Sequence, residues 1–362
     1  MLTSVPSVLS PLAVETSDSA IDSIGTPTLW GVTIAAVVAL LIFDFIATRK
    51  PHEVSMKEAA LWSTFYIALP LAFGVYVLSA HGSESGVNYY TGYIVEKSLS
   101  VDNLFVFMLL LSAFAVPAAL QQRVLLYGII GALVLRGIFI ALGAAALARF
   151  NFVFLIFGAV LLLTAAKLLK DALSGEEEHE KNPDDIRSVQ LMRKLMPVTS
   201  DYRGAKMIVR ENGVRALTPL ALVVVAVFMT DIVFAVDSVP AVYGITSDPY
   251  LVFATNAFAL LGLRALYFVI QGLLAKLVHL SYGLSIILGF IGVKLVLHWG
   301  HLQNPDVPEI SNVASLSVVI GVLALTTISS LIAVRKQEQA AAAALTAPAD
   351  EEPAPEEESA PR

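Results

Sequence analysis

Four carboxylates lie where a polypeptide tolerates them least. Glu96, Asp102, Asp231 and Asp237 fall inside two apolar runs, GYIVEKSLSVDNLFVF and FMTDIVFAVDSVPAVYGIT. In each run one acid is followed six positions later by another, and then at once by Asn103 or Ser238. An acid near the centre of a membrane span costs roughly 2.5–3.5 kcal/mol, so four cost on the order of 10–14 kcal/mol. That is comparable with the whole stability of a typical domain. Protonation, pairing with Lys97, Arg136 or Arg264, or a bound cation are the three ways to neutralise them. The candidate metal ligands, Glu96, Asp102, Asn103, Asp231, Asp237 and Ser238, are all oxygen donors, and the chain has no cysteine. Oxygen sets suit Mg²⁺, Ca²⁺ and Mn²⁺, whereas thiolate and imidazole favour Zn²⁺ or Cu⁺. A thioether from Met108 or Met229 would tilt the choice toward Mn²⁺, although packing is the commoner use of methionine.

Spacing restricts the geometry. On a regular helix, positions i and i+6 stand about 9 Å apart along the axis and about 120° apart around it. One helix alone cannot close both of its acids on a single ion. Two antiparallel helices crossing at the bilayer midplane bring Asp102 and Asp237 together. A purely structural alternative stands beside this one, in which the arginines pair with the acids and fix helix register. Lys97, next to Glu96, reads as a tethered cation that fills the site without metal. Asp44 reads as an interfacial residue.

The elements that must carry these side chains are membrane helices. The 362 residues are 57% hydrophobic and 15% charged, against about 45–50% and about 25% in soluble domains. Nine segments are long and apolar enough to span, at about 28–48, 58–79, 90–115, 124–148, 151–169, 218–242, 250–275, 279–299 and 312–334. The fold class is therefore all-α, a polytopic bundle of nine transmembrane helices lying in the lipid bilayer. Lys and Arg are missing from 1–27, 80–89, 243–249 and 300–311, and Arg149 is the only basic residue in the remaining connection on that side. They crowd the alternate connections. By the positive-inside rule the N-terminal tail, 1–27, is extracytoplasmic and the C-terminus cytoplasmic.

Residues 171–213 form one long cytoplasmic connection, with an acidic run at Glu176–Glu180 around His179. It reads as a solvated loop, with a metal-sensing patch or a surface for membrane-protein partners as alternatives. The Ala, Pro and Glu of 337–362 read as a disordered tail. His298 and His301 flank Trp299 as an interfacial belt, with a weak outer metal site the alternative.

Helices 3–5 (about 90–169) and 6–8 (about 218–299) look like copies. Leu133–Phe139 aligns with Leu261–Tyr267, placing Arg136 opposite Arg264, and Lys167 and Lys294 follow at nearly equal distances. Three crossings per copy make the repeat inverted, with a substrate site expected near the midplane between the copies. Pro240 is expected to break helix 6. A net charge of −7 leaves no footprint for nucleic acid. No GxxxxGK[ST], HExxH or GxSxG occurs, so neither an ATP-driven pump nor a hydrolase is expected. The chain reads as no enzyme and as needing no cofactor.

The two acidic motifs, followed by LRALYF, closely resemble the TerC/Alx family of integral membrane proteins, and the similarity runs from helix 1 to helix 9. The resemblance implies a multi-pass protein of the bacterial plasma membrane. It implies manganese export, with tellurite resistance as the naming phenotype, and carries the intramembrane acids over as Glu96, Asp102, Asp231 and Asp237. The expected function is export of a divalent cation, Mn²⁺, with exchange for protons as one form of coupling. The alternative is a membrane scaffold that helps insert or metalate other proteins.

Overall fold

The computed structural model describes residues 23–47, 53–174, 186–211, 213–271 and 279–346. In chain order these form α1 (Pro27–Ala47), α2 (Met56–Ala113), α3 (Ala118–Leu147), α4 (Val153–Ser174) and α5 (Arg187–Leu195). A hairpin of β1 (Ile208–Glu211) and β2 (Val214–Leu217) follows, then α6 (Pro219–Tyr243), α7 (Pro249–Leu261), α8 (Leu263–Ile270), α9 (Leu280–Gln303) and α10 (Asn312–Thr346).

Seven of these helices are long and apolar enough to cross a membrane, and the bent pair α7–α8 makes an eighth span. The 58 residues of α2 would reach about 87 Å as one rod, roughly twice a whole bilayer. Gly82, at φ 90° and ψ 173°, breaks that rod in a region that suits glycine alone. The two arms then fold together. The Tyr89 and Tyr90 hydroxyls donate to the Pro70 and Leu71 carbonyls at 3.0 and 2.8 Å. The described helices thus offer seven or eight candidate spans, where hydropathy implies nine, because the second and third apolar segments are joined in α2.

The bundle is inside-out relative to a soluble protein. Outer helices present their apolar side chains to lipid: of α1 only Thr33, Val37 and Asp44 are buried. Polar groups collect inside, where every one must find a partner. α3 packs on α6, α2 on α7, and α4 on α9. The α4–α9 crossing depends on Gly158 and Gly292, since a Cβ on either would come within 3.0 or 3.1 Å of the other's carbonyl oxygen. Small residues at such points let helix backbones approach closely in lipid.

Three local expectations are corrected. α6 runs unbroken through Pro240 to Tyr243, so the helix absorbs the one backbone bond that proline cannot donate. The bend falls in the next span, 41° between α7 and α8. There Gly262 lets Lys97 and Tyr66 within 3.0 Å of where a Cβ would stand. α10 continues to Thr346, into the segment expected to be disordered, since Ala340–Ala344 is a run of the strongest helix former. The long connection is not a plain loop: from Ile186 to Thr218 it folds as a cap. Val189 is fully buried, and Tyr202 donates to the Phe114 carbonyl at the end of α2 at 2.8 Å. The first 22 residues, the acidic run around His179 and the stretch from 347 to 362 lie outside the described residues.

Candidate functional site

The centre of the bundle is organised by Arg136 on α3, the largest side chain that is fully buried. Its Nη1 donates to Glu96 Oε1 on α2 and to Asn256 Oδ1 on α7 at 3.0 Å. Its Nη2 donates to Asp231 Oδ1 on α6 at 3.3 Å. One guanidinium thus ties α2, α6 and α7, and the acids it holds, Glu96 and Asp231, are the first acids of the two acidic motifs. Asn256 is oriented by its own Nδ2, which donates to the Val252 carbonyl at 3.0 Å, so its Oδ1 faces the arginine.

Each acid spends only one oxygen on Arg136. Among the described residues, Glu96 Oε2 and Asp231 Oδ2 are buried without a partner, as are Ser100 Oγ and Ser238 Oγ. Helical spacing explains the grouping. Glu96, Ser100 and Asn103 stand at i, i+4 and i+7, one face of α2, and Asp231 and Ser238 stand at i and i+7 on α6. All five are buried. Asp237, at i+6, is rotated off that face and only half-buried, yet remains within electrostatic reach of Arg136. The Asp102 side chain lies outside the described ones, so the expected Asp102–Asp237 meeting is not drawn. Among the described residues no three acids or histidines close into a metal-sized cluster. A cation here would draw on carboxylate, hydroxyl and amide oxygens together, a donor chemistry that suits a hard divalent ion.

The other arginine of the repeat does something different. Arg264 on α8 donates to Asp44 Oδ1 at 2.8 Å and to Gln122 Oε1 at 3.1 Å, so it takes no acid from α2 or α6. Asp44 is correspondingly no interfacial residue: it is 2% exposed, since a carboxylate in the span needs its cation. Lys97 forms no ion pair among the described residues and donates to the Ala259 carbonyl at 3.1 Å. Met229 is 42% exposed on the outer face and Met108 packs in the apolar core, so thioether ligation has no support. Sequence reasoning missed Asn256, Ser100 and Gln122. An Asn in the apolar run LVFATNAFALL was the available signal, because its amide must bond inside the bundle.

Above the acids opens a polar cavity of about 520 Å³, lined by Glu84, Asn88, Asp248, Lys294, His298 and Glu309 among others. Asn88 precedes Glu96 by eight residues, about 12 Å along the same helix. The cavity gathers the Lys/Arg-poor connections at one end of the bundle. Lys294 Nζ donates to Asn312 Oδ1 at 2.7 Å, whereas Lys167 is exposed. His298 Nδ1 meets Glu309 Oε1 at 2.6 Å, and His301 Nδ1 meets the Val307 carbonyl at 2.8 Å. Both histidines tie down the α9–α10 connection, which leaves neither arranged as an outer metal site.

The family described as integral membrane protein TerC matches residues 81–339. An uncharacterized membrane protein of Myxococcus xanthus is 41% identical over 311 residues, 86% of this chain and 94% of that protein. One from Mycobacterium tuberculosis (strain ATCC 25618 / H37Rv) is 42% identical over 325 residues, 87% of this chain and 82% of its own. Alx of Escherichia coli (strain K12), provisionally named a membrane-bound redox modulator, is 40% identical over 315 residues, 84% and 94% of the two chains. No solved structure matches.

Proposed function

This chain belongs to the TerC family of integral membrane proteins, and on that premise we propose that it is a secondary transporter exporting a divalent metal cation, Mn²⁺ first among them. One observation carries the reading: Glu96 and Asp231 share Arg136 yet keep a free buried oxygen each. A structural ion pair gains nothing from leaving those oxygens unmet, since an unsatisfied buried acceptor costs about 1–3 kcal/mol. A cation that completes the group recovers that cost.

In the proposed cycle the ion enters from the Lys/Arg-rich, cytoplasmic end. It bonds Glu96 Oε2 and Asp231 Oδ2, with Ser100 and Ser238 hydroxyls as neutral donors. Protons arriving through the polar cavity then discharge the acids and release it outward. One divalent ion and two protons bring in equal charge, so a one-for-two exchange leaves the site's charge unchanged. On the reading that the two acidic motifs belong to an inverted repeat, the copies meet through α3 on α6 and α2 on α7 and would rock against each other there. In the absence of cysteine any redox effect of the kind in Alx's name would act through the metal balance, not through thiols. Measuring cellular manganese in a sensitive bacterial host tests the proposal. Wild type lowers it, and Asp231→Asn and Glu96→Gln do not. Equal lowering by wild type and both variants rejects the ligand role.

A second reading, a membrane scaffold for insertion or metalation of other proteins, draws on the folded basic cap between α4 and α6. It requires protein partners that purify with the chain and a manganese phenotype that survives loss of both acids.

A further inference from the structure

The cap spanning Ile186–Thr218 is firmly docked. Thr218 donates through its N–H to Met207 and through its hydroxyl to the Lys206 carbonyl, at 2.9 and 2.7 Å. The Thr199 N–H donates to the Leu217 carbonyl and the Leu217 N–H to the Pro197 carbonyl, both at 2.8 Å. The outer surface of this rigid piece is odd for one facing only water. α5 buries Val189 but holds Leu191 and Leu195 outward, 58% and 68% exposed, and Ile208 on β1 is 56% exposed. Lys194 stands three residues after Leu191, on the same helical face. The hairpin register sets Arg210 directly opposite Arg215. Both are exposed, and like charges facing across two strands repel. The hairpin does not offset this: Glu211 is taken by Arg203 at 3.2 Å. Over the whole cap, seven basic residues stand against the acids Asp201 and Glu211.

We propose that this cap binds anionic phospholipid of the leaflet at its own end of the bundle, with Arg210 and Arg215 clamping a phosphate and the exposed Leu191, Leu195 and Ile208 meeting acyl chains. Two guanidiniums facing one another present forked donors that a phosphodiester bridges bidentately. Ile208 lies two positions before Arg210, on the same face of the strand. A free phosphate would use the arginines and leave the apolar side chains wet, whereas a lipid engages both. The positive-inside rule places this basic end at the cytoplasmic leaflet, where anionic lipid attracts juxtamembrane Lys and Arg.

The absence of cysteine makes the test direct. The full chain carrying Leu195→Cys takes a single fluorophore. It is reconstituted in nanodiscs of phosphatidylcholine alone or mixed with phosphatidylglycerol, with a trace of lipid bearing a nitroxide quencher. Strong quenching is expected only with phosphatidylglycerol, and it weakens in high salt. Arg210→Gln with Arg215→Gln shifts the phosphatidylglycerol needed by about 25-fold, about fivefold per charge. Both positions are exposed, so the cap's own ties are untouched. Equal quenching in neutral and anionic discs, or an unchanged double variant, overturns the proposal. So does protection of the label in detergent by inorganic phosphate as effective as that by phosphatidylglycerol. Transport is not read, so the result stands apart from the fate of the manganese reading.

Discussion

Replacing Arg136 by glutamine isolates the chemistry of the buried centre. The wild-type guanidinium donates to Glu96, Asn256 and Asp231 and is 1% exposed. Removing it leaves two carboxylates in a low-dielectric interior with no counter-charge, a perturbation worth about 3–5 kcal/mol. Against a total stability of about 5–15 kcal/mol, Arg136→Gln is expected to melt well below wild type in detergent. Glu96→Gln added to Arg136→Gln removes one of the stranded charges, so the double variant recovers part of the loss, and the departure from additivity measures the pair. The decisive step is adding Mn²⁺. An ion that binds the native state at a hundredfold excess over its dissociation constant stabilises by about 2.7 kcal/mol. In Arg136→Gln the ion takes both the free oxygens and the vacated guanidinium position. In wild type Arg136 holds Glu96 Oε1 and Asp231 Oδ1, so the ion has only the two remaining oxygens and meets the repulsion of a neighbouring guanidinium. The melting temperature of Arg136→Gln should therefore rise more with Mn²⁺ than that of wild type, and Asp231→Asn in the same background should abolish the rise. If Mn²⁺ stabilises neither protein, or stabilises the Asp231→Asn variant as much as its parent, the acids are a register-fixing ion pair and not a cation site.

Arg264→Gln should destabilise less, since it removes the guanidinium from one acid, Asp44, and not from two, and Mn²⁺ should give no extra rescue; thermal melts of the two arginine variants side by side make the comparison. Gly158→Leu should separate α4 from α9, because its Cβ meets the Gly292 carbonyl at 3.0 Å. Limited proteolysis should then cut the α4–α6 connection faster while cleavage between α1 and α2 is unchanged. Burial pushes the Tyr202 phenol from 10.0 up to about 12. The folded cap therefore holds that proton more tightly than the unfolded chain, and the phenol's stabilisation is constant below pH 10 and declines between pH 10 and about 12. Tyr202→Phe, which loses the bond to Phe114, should cost about 0.5–1.5 kcal/mol and flatten that decline in melts taken against pH.

Much of this protein is legible in its sequence because the relevant signals are local. An apolar run of about 20 residues has no stable state but a span, so the crossings follow from composition. Acids inside such runs stand out for the same reason, and their burial at Glu96 and Asp231 follows from the cost of leaving them in lipid. Helix phase, also local, puts Glu96, Ser100 and Asn103 on one face of α2. Partner choice is not local. Arg136 and Arg264 occupy equivalent positions in two similar motifs, yet one reaches acids of α2 and α6 and the other reaches Asp44 on α1. Only the packing of α3 against α6, and of α1 against α7, decides which carboxylate stands within a guanidinium's reach. The cap between α4 and α6 shows the same limit. Its charges suggested a solvated loop, while Val189, Leu217 and Tyr202 acquire their partners only once the ends of α2 and α6 are side by side. Sequence therefore determined the spans and the identity of their buried charges. Tertiary structure alone decided how those charges pair, because pairing depends on distances between helices far apart in the chain.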